Sequence, residues 1–137
     1  GWGLRPSPVS GAKVGSAFSV VRVDGTYVLF TMAAGAAALT TMTSYWSCSP
    51  TGPWHGPTKN FSPSLPTAGV AAYNPQAHPA LSDGASGEGG AGGAGGGRLV
   101  LSYDVNWLET TGASASINAN VSLYRPRFVT VRLVRTR

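Results

Sequence analysis

The segment "SVVRVDGTYVLFTM", residues 19–32, contains two runs of β-branched and aromatic residues separated by Asp24-Gly25. Such residues favour strands, and an Asp-Gly pair readily adopts the positive φ angles that a two-residue hairpin turn needs. The segment therefore predicts an antiparallel hairpin that turns at Asp24 and Gly25.

A third strand is predicted directly after this hairpin. In "ALTTMTSYWS", residues 38–47, one side of a strand would carry Leu39, Thr41, Thr43 and Tyr45, and the other Thr40, Met42, Ser44 and Trp46. The next segment, "SPTGPWHGPTKNFSPSLP" at residues 49–66, is interrupted by prolines and glycines and predicts a surface connection.

The second half of the chain repeats this plan. A short apolar run ends in "SDG" at residues 82–84, and "RLVLSYDVN" at residues 98–106 predicts a strand. "NVSLYRP" and "RFVTVRLV", residues 120–134, predict two more strands, while the glycine-rich insertion 84–97 predicts a flexible loop. A repeated antiparallel unit of about 40 to 50 residues, with no competing helical pattern, indicates an all-β chain built like propeller blades.

Composition narrows the function classes. The 137-residue chain carries a net charge of +5, yet only 11% of its residues are charged, against about one quarter in most soluble domains. This balance favours an extracellular, secreted protein. Five arginines lie in the last 13 residues, but they alternate with apolar residues as on the solvated side of a strand, so nucleic-acid binding is not expected.

Two further classes of feature are not expected. No apolar run approaches the length of a membrane span. Cys48 is the single cysteine, so an internal disulfide is excluded, and we interpret it as a buried or half-buried structural thiol.

Several segments together resemble a known group of proteins. "FSVVRVDGTYVLFTM" followed by "TTMTSYWSCSPTGPW" resembles the blade pattern of five-bladed β-propeller glycoside hydrolases. "YNPQAHPAL", "RLVLSYDVN" and "VSLYRPRFV" resemble the C-terminal part of the domain of unknown function 4185, a group that includes bacterial endo-D-arabinanases and related surface-glycan proteins. The resemblance implies a partial five-bladed propeller of about two four-stranded blades, 1–66 and 67–137, completed by further blades or a partner chain.

The implied activity is binding or hydrolysis of a polysaccharide. Hydrolysis of glycosides ordinarily needs two carboxylates that flank the scissile bond. Asp24 and Asp83 lie in predicted turns, Glu88 in the glycine-rich insertion and Glu109 in a polar stretch, which leaves Asp104 as the one catalytic candidate. The chain alone therefore does not supply the pair, and the resemblance places the family's catalytic acids on earlier blades.

The resemblance also maps His78 to the strand that lines a propeller channel, although a histidine hydrogen-bonded in the core is an equally good interpretation. The predicted glycan-binding residues are His78, Tyr103, Asp104, Asn106, Tyr124, Arg125 and Arg127. Trp46 and Trp107 are candidate stacking faces for sugars, with packing between blades as the alternative for Trp46. Arg125 with Asp104 is either part of this site or a structural ion pair.

No cofactor is expected for this chain, although a channel metal such as calcium is compatible with a complete propeller. Asn60 and Asn120 lie in glycosylation sequons, which matter if the source is a eukaryote that secretes the protein. The alternative function is a non-catalytic, lectin-like or assembly protein that pairs through exposed strand edges.

Overall fold

The computed structural model describes residues 14–34, 40–66, 69–82, 97–107 and 121–134. Within them the fold is all-β, as predicted, and every strand pairing is antiparallel. The seven described strands are β1 (Val14–Val23), β2 (Thr26–Ala33), β3 (Met42–Ser47), β4 (His55–Phe61), β5 (Val70–His78), β6 (Arg98–Trp107) and β7 (Arg127–Arg132). They form a four-stranded sheet, β1-β2-β3-β4, and a three-stranded sheet, β5-β6-β7.

The predicted hairpin is confirmed. Val23 pairs with Thr26 across the turn, and Asp24 and Gly25 have φ angles of 47° and 78°. Both angles lie in the left-handed region, which aspartate tolerates and glycine adopts at no steric cost.

The prediction of a connection at residues 49–66 is wrong in its central part. This segment contains β4, His55–Phe61, which pairs with β3 as the fourth strand of the first sheet. All but Phe61 of its residues are exposed, so the strand has no alternating apolar pattern, and its glycine and proline hide it further.

Two strand positions in the second half also need correction. The inner strand is Val70–His78, earlier than the predicted apolar run, and Pro79–Leu81 is a 3-10 turn. The segment Val121–Tyr124, predicted as a strand, forms a second 3-10 turn.

The prediction that the C-terminal arginines lie on the solvated side of a strand also needs correction. Val129, Val131 and Arg127 share one face of β7, whereas Arg132 lies on the opposite, exposed face. Arg127 is therefore not on the solvated side. Cys48 is exposed rather than buried.

The core lies between the two sheets. Phe30, Met32 and Met42 of the first sheet cluster with Leu99, Leu101 and Val105 of the second, all at most 1% exposed. The edges of the sheets also meet, since the Ala77 amide donates a hydrogen bond to Ser19 Oγ at 3.0 Å. One core shared by both sheets fixes which face of each sheet points outward.

Candidate functional site

The outward face of the second sheet carries a group of polar side chains at its centre. Register places Tyr73 beside Asp104 and Gln76 beside Ser102, with Phe128 on the other side of Ser102. Side chains alternate between the two faces of a strand, so these residues share the face opposite Leu101. We call the set Tyr73, Gln76, His78, Ser102, Asp104, Asn106 and Phe128 the polar face.

A bulge in β5 orients the side chains that β5 contributes to the polar face. Pairing shifts between Tyr73 and Gln76, where Asn74 has a φ of 52° and Pro75 is buried. The extra residues of a bulge re-aim the neighbouring side chains, and a proline fits there because it needs no ladder donor. The Asn74 amide consequently reaches the polar face.

The amides form a chain of hydrogen bonds that ends at the carboxylate. Gln76 Nε2 donates to Asn74 Oδ1 at 3.1 Å, and Asn74 Nδ2 donates to Asp104 Oδ2 at 3.0 Å. A carboxylate can accept about four hydrogen bonds, so Asp104 keeps acceptor capacity for a ligand. These hydrogen bonds fix the orientation of both amide groups, and a site for a polar ligand needs groups with fixed orientations.

His78 is anchored at the end of β5. Its Nε2 lies 2.7 Å from Ser102 Oγ, and its ring is 5.7 Å from that of Phe128. Ser82 Oγ donates to the His78 carbonyl at 2.7 Å and accepts from the Val100 amide at 2.9 Å, which ties this end of β5 to β6. The imidazole is thus hydrogen-bonded, and it also lies half-buried on an outward face.

The polar face also has an apolar platform. Phe128, which lies opposite Ser102 in the register, is 58% exposed. An aromatic ring beside fixed hydrogen-bonding groups is a common arrangement in sites for small polar ligands.

The structure brings together only some of the predicted binding residues. His78, Asp104 and Asn106 lie on the polar face, where Asn106 Oδ1 accepts from the Trp107 amide at 2.8 Å. Tyr103 lies in the core, 5% exposed, with its ring 6.3 Å from that of Phe61. Arg127 pairs with Tyr103, so it lies on the core side too.

The remaining predicted residues are dispersed. Arg125 is exposed after the second 3-10 turn, and the structure, which describes both residues, shows no ion pair between Arg125 and Asp104. The Tyr124 side chain and Asn120 lie outside the described part. Asn60 is exposed on β4, where it accepts a hydrogen bond from Ser44 Oγ at 3.1 Å.

The two tryptophans predicted as stacking faces differ in exposure and in what they contact. Trp46 is 47% exposed and stacks on His55 with ring centroids 4.4 Å apart. Trp107 packs against the core, and its Nε1 is buried with no hydrogen-bond partner within the described residues.

Sequence reasoning missed Tyr73, Asn74, Gln76, Ser102 and Phe128. The Asn-Pro pair inside an otherwise extended run was a usable signal, because it predicts a turn or bulge. Gln76 and Ser102 gave no signal of their own, since their pairing depends on the size of that bulge.

A concave feature lies between β4 and β7, apart from the polar face. It has a volume of about 530 Å³ and includes Lys59, Asn60 and Phe61 on one side and Val129–Leu133 on the other. We call it the edge groove. None of its described lining residues is acidic.

Two kinds of feature are absent from the described residues. They contain no cluster of three or more metal-ligating His, Cys, Asp or Glu side chains. Among them no helix has both the length and the apolarity that crossing a bilayer requires.

Comparisons with family models, with curated proteins and with solved structures found no match to this chain.

Proposed function

We propose that this protein binds a glycan through the polar face of its second sheet. The observation that carries the proposal is the hydrogen-bond chain from Gln76 through Asn74 to Asp104, beside the exposed ring of Phe128. Sugars present hydroxyl groups at their rims and C–H groups on their ring faces. Oriented amide and carboxylate groups suit the first, and an aromatic ring suits the second.

The proposal is for binding rather than cleavage by this chain alone. Asp24 and Asp104 are the carboxylates among the described residues, and Asp24 lies in the β1–β2 turn rather than on the polar face. Glycoside hydrolysis by the usual route needs two facing carboxylates. A catalytic role for Asp104 within a larger assembly remains a prediction.

The wider context of the proposal follows the sequence resemblance. The sheets are proposed to be adjacent blades of a five-bladed propeller that acts on a polysaccharide outside the cell, with other blades or a partner chain supplying the remainder. Supporting this, the first sheet has four antiparallel strands in sequential order and packs against the second through one core.

Glycan binding is tested first with the 137-residue chain on a glycan microarray, followed by calorimetry with the glycan that binds best. Phe128→Ala should weaken binding about fivefold to tenfold, because it removes the ring platform. Asp104→Asn should weaken it about tenfold, since a hydrogen bond to a charged acceptor is lost.

Phe18→Ala is the matched control, because Phe18 is 54% exposed but lies on β1 in the other sheet. Equal loss of affinity in Phe18→Ala and Phe128→Ala would contradict the proposed site. Release of reducing ends by the wild-type chain would show that cleavage does not need further blades.

A further inference from the structure

The edge groove lies along the side of β7 that no described strand pairs with. In the described residues β7 pairs only with β6, and the Leu133 amide donates to the Gly97 carbonyl at 3.1 Å. Main-chain groups of an antiparallel strand alternate in direction, so those of Val129 and Val131 also point toward β6. The N–H and C=O groups of Phe128, Thr130 and Arg132 therefore point out of the sheet, toward the groove.

The groove has an apolar floor and a cationic rim. Phe30, Phe61 and Leu133 line it together with two valines of β7, and Lys59 and Arg132 are its charged residues. Its volume of about 530 Å³ lies within the roughly 300–1,000 Å³ of ligand sites.

Among the described residues that line the groove, the positive charge has no acidic partner. Arg98 lies directly opposite Arg132 in the β6–β7 pairing, and like charges in that position repel. Of the acids that the structure describes, Asp24 lies in the first hairpin turn and Asp104 on the polar face. An acidic ligand would remove this repulsion.

We propose that the edge groove binds an extended acidic peptide, which adds as a strand to β7. Outward main-chain groups supply the ladder hydrogen bonds, alternate apolar side chains of the peptide enter the floor, and its carboxylates face Lys59 and Arg132. A peptide fits better than an acidic polysaccharide, which has neither amide donors nor alternating apolar side chains. A second copy of this chain is disfavoured because each copy carries a net charge of +5.

The probe is a fluorescein-labelled, N-acetylated peptide of alternating valine and glutamate, seven residues long, measured by fluorescence anisotropy with the full 137-residue chain. The same peptide with lysine in place of glutamate should not bind. A glutamate peptide with every backbone nitrogen methylated should bind at least about tenfold more weakly, because it lacks the ladder donors.

Two variants of the protein locate the site. Arg132→Glu should weaken binding about tenfold, whereas Arg22→Glu, an exposed arginine on β1, should change it less than twofold. Thr130→Pro removes one outward N–H at an edge position where proline is tolerated, and should weaken binding while circular dichroism stays unchanged.

Asp104→Asn should leave peptide binding intact, which separates this proposal from glycan binding on the polar face. The proposal is overturned if the lysine peptide binds as tightly, or if Thr130→Pro and Arg132→Glu behave like Arg22→Glu. Polygalacturonate that binds with a dependence on Arg132 but none on Thr130 would also overturn it, because the groove would then recognise only negative charge.

Discussion

His78 combines the two interpretations that its sequence position allows. It is hydrogen-bonded within the fold, at 2.7 Å from Ser102 Oγ, yet it lies on an outward face beside the exposed ring of Phe128. Ser102 is 7% exposed, so its hydroxyl has little access to water as an alternative partner. The pair therefore supports both the stability of the second sheet and the shape of the polar face.

Ser102→Ala tests the first of these contributions. Removal of the hydroxyl leaves the half-buried imidazole nitrogen without its protein partner, and we expect the free energy of unfolding to fall by about 1 kcal/mol. Urea denaturation followed by circular dichroism measures the change. Ser64→Ala, at an exposed position, is the control and should be neutral; an equal effect in both variants would contradict a structural role for the His78–Ser102 contact.

Tyr45 provides a prediction at high pH. Burial raises the pKa of its phenol above the ordinary value of 10.0, because the phenolate is poorly solvated there. The unfolded chain then loses this proton at lower pH than the folded chain, so stability is retained below pH 10 and falls as pH rises further. Absorbance titration at 295 nm should show one late-ionising tyrosine fewer in Tyr45→Phe than in the wild type. An unchanged titration end point would contradict this assignment.

The alternation of side chains along a strand already shows that some of the predicted site residues cannot share a face of the sheet. Tyr103 and Asp104 are adjacent in β6 and therefore project to opposite faces, so the sequence alone argued against using both in one site. Asn74 and Gln76 could not be assigned to a face of the sheet in the same way. Their direction depends on the bulge at Pro75, and a shift of one residue in register reverses every side chain beyond it.

Among the strands, predictability followed the strength of the local pattern. The β1–β2 hairpin was predictable because runs of β-branched and aromatic residues flank Asp24-Gly25, whose turn chemistry agrees with them. β4 was not, because its residues are exposed and its pairing with β3 is a tertiary choice. The edge groove was missed for the same reason, since one of its walls is β4.

Gly56 tests whether β4 packs as the structure shows. Its φ is +136°, and a Cβ at this position would lie 2.9 Å from the Ser44 carbonyl oxygen and 3.1 Å from a Tyr45 ring carbon. Gly56→Ala therefore meets both an unfavourable φ and backbone that cannot yield, and should destabilise the fold by roughly 2 kcal/mol or more.

Gly25→Ala is the matched control for this prediction. Its φ of +78° is also positive, but a Cβ there meets nothing within 4 Å, so the cost should be about 1 kcal/mol. Thermal denaturation of the two variants under the same conditions gives the comparison. A smaller loss in Gly56→Ala than in Gly25→Ala would mean that β4 does not approach β3 as described.

For the two sheets together, the common core predicts a single cooperative unfolding transition. Leu101 is fully buried in the cluster that joins both sheets, and Leu101→Ala should lower the free energy of unfolding by about 2–5 kcal/mol. Leu81 is 62% exposed, so Leu81→Ala should stay within about 0.5 kcal/mol of wild type.

A shared core also means that probes in the two sheets should unfold together. Trp46 lies in the first sheet and Trp107 in the second, and each can be followed by fluorescence in a variant that retains only that one of the two tryptophans. Both variants should give the same unfolding midpoint. Two separate midpoints, or a Leu101→Ala effect confined to the Trp107 signal, would show that the sheets fold as independent units.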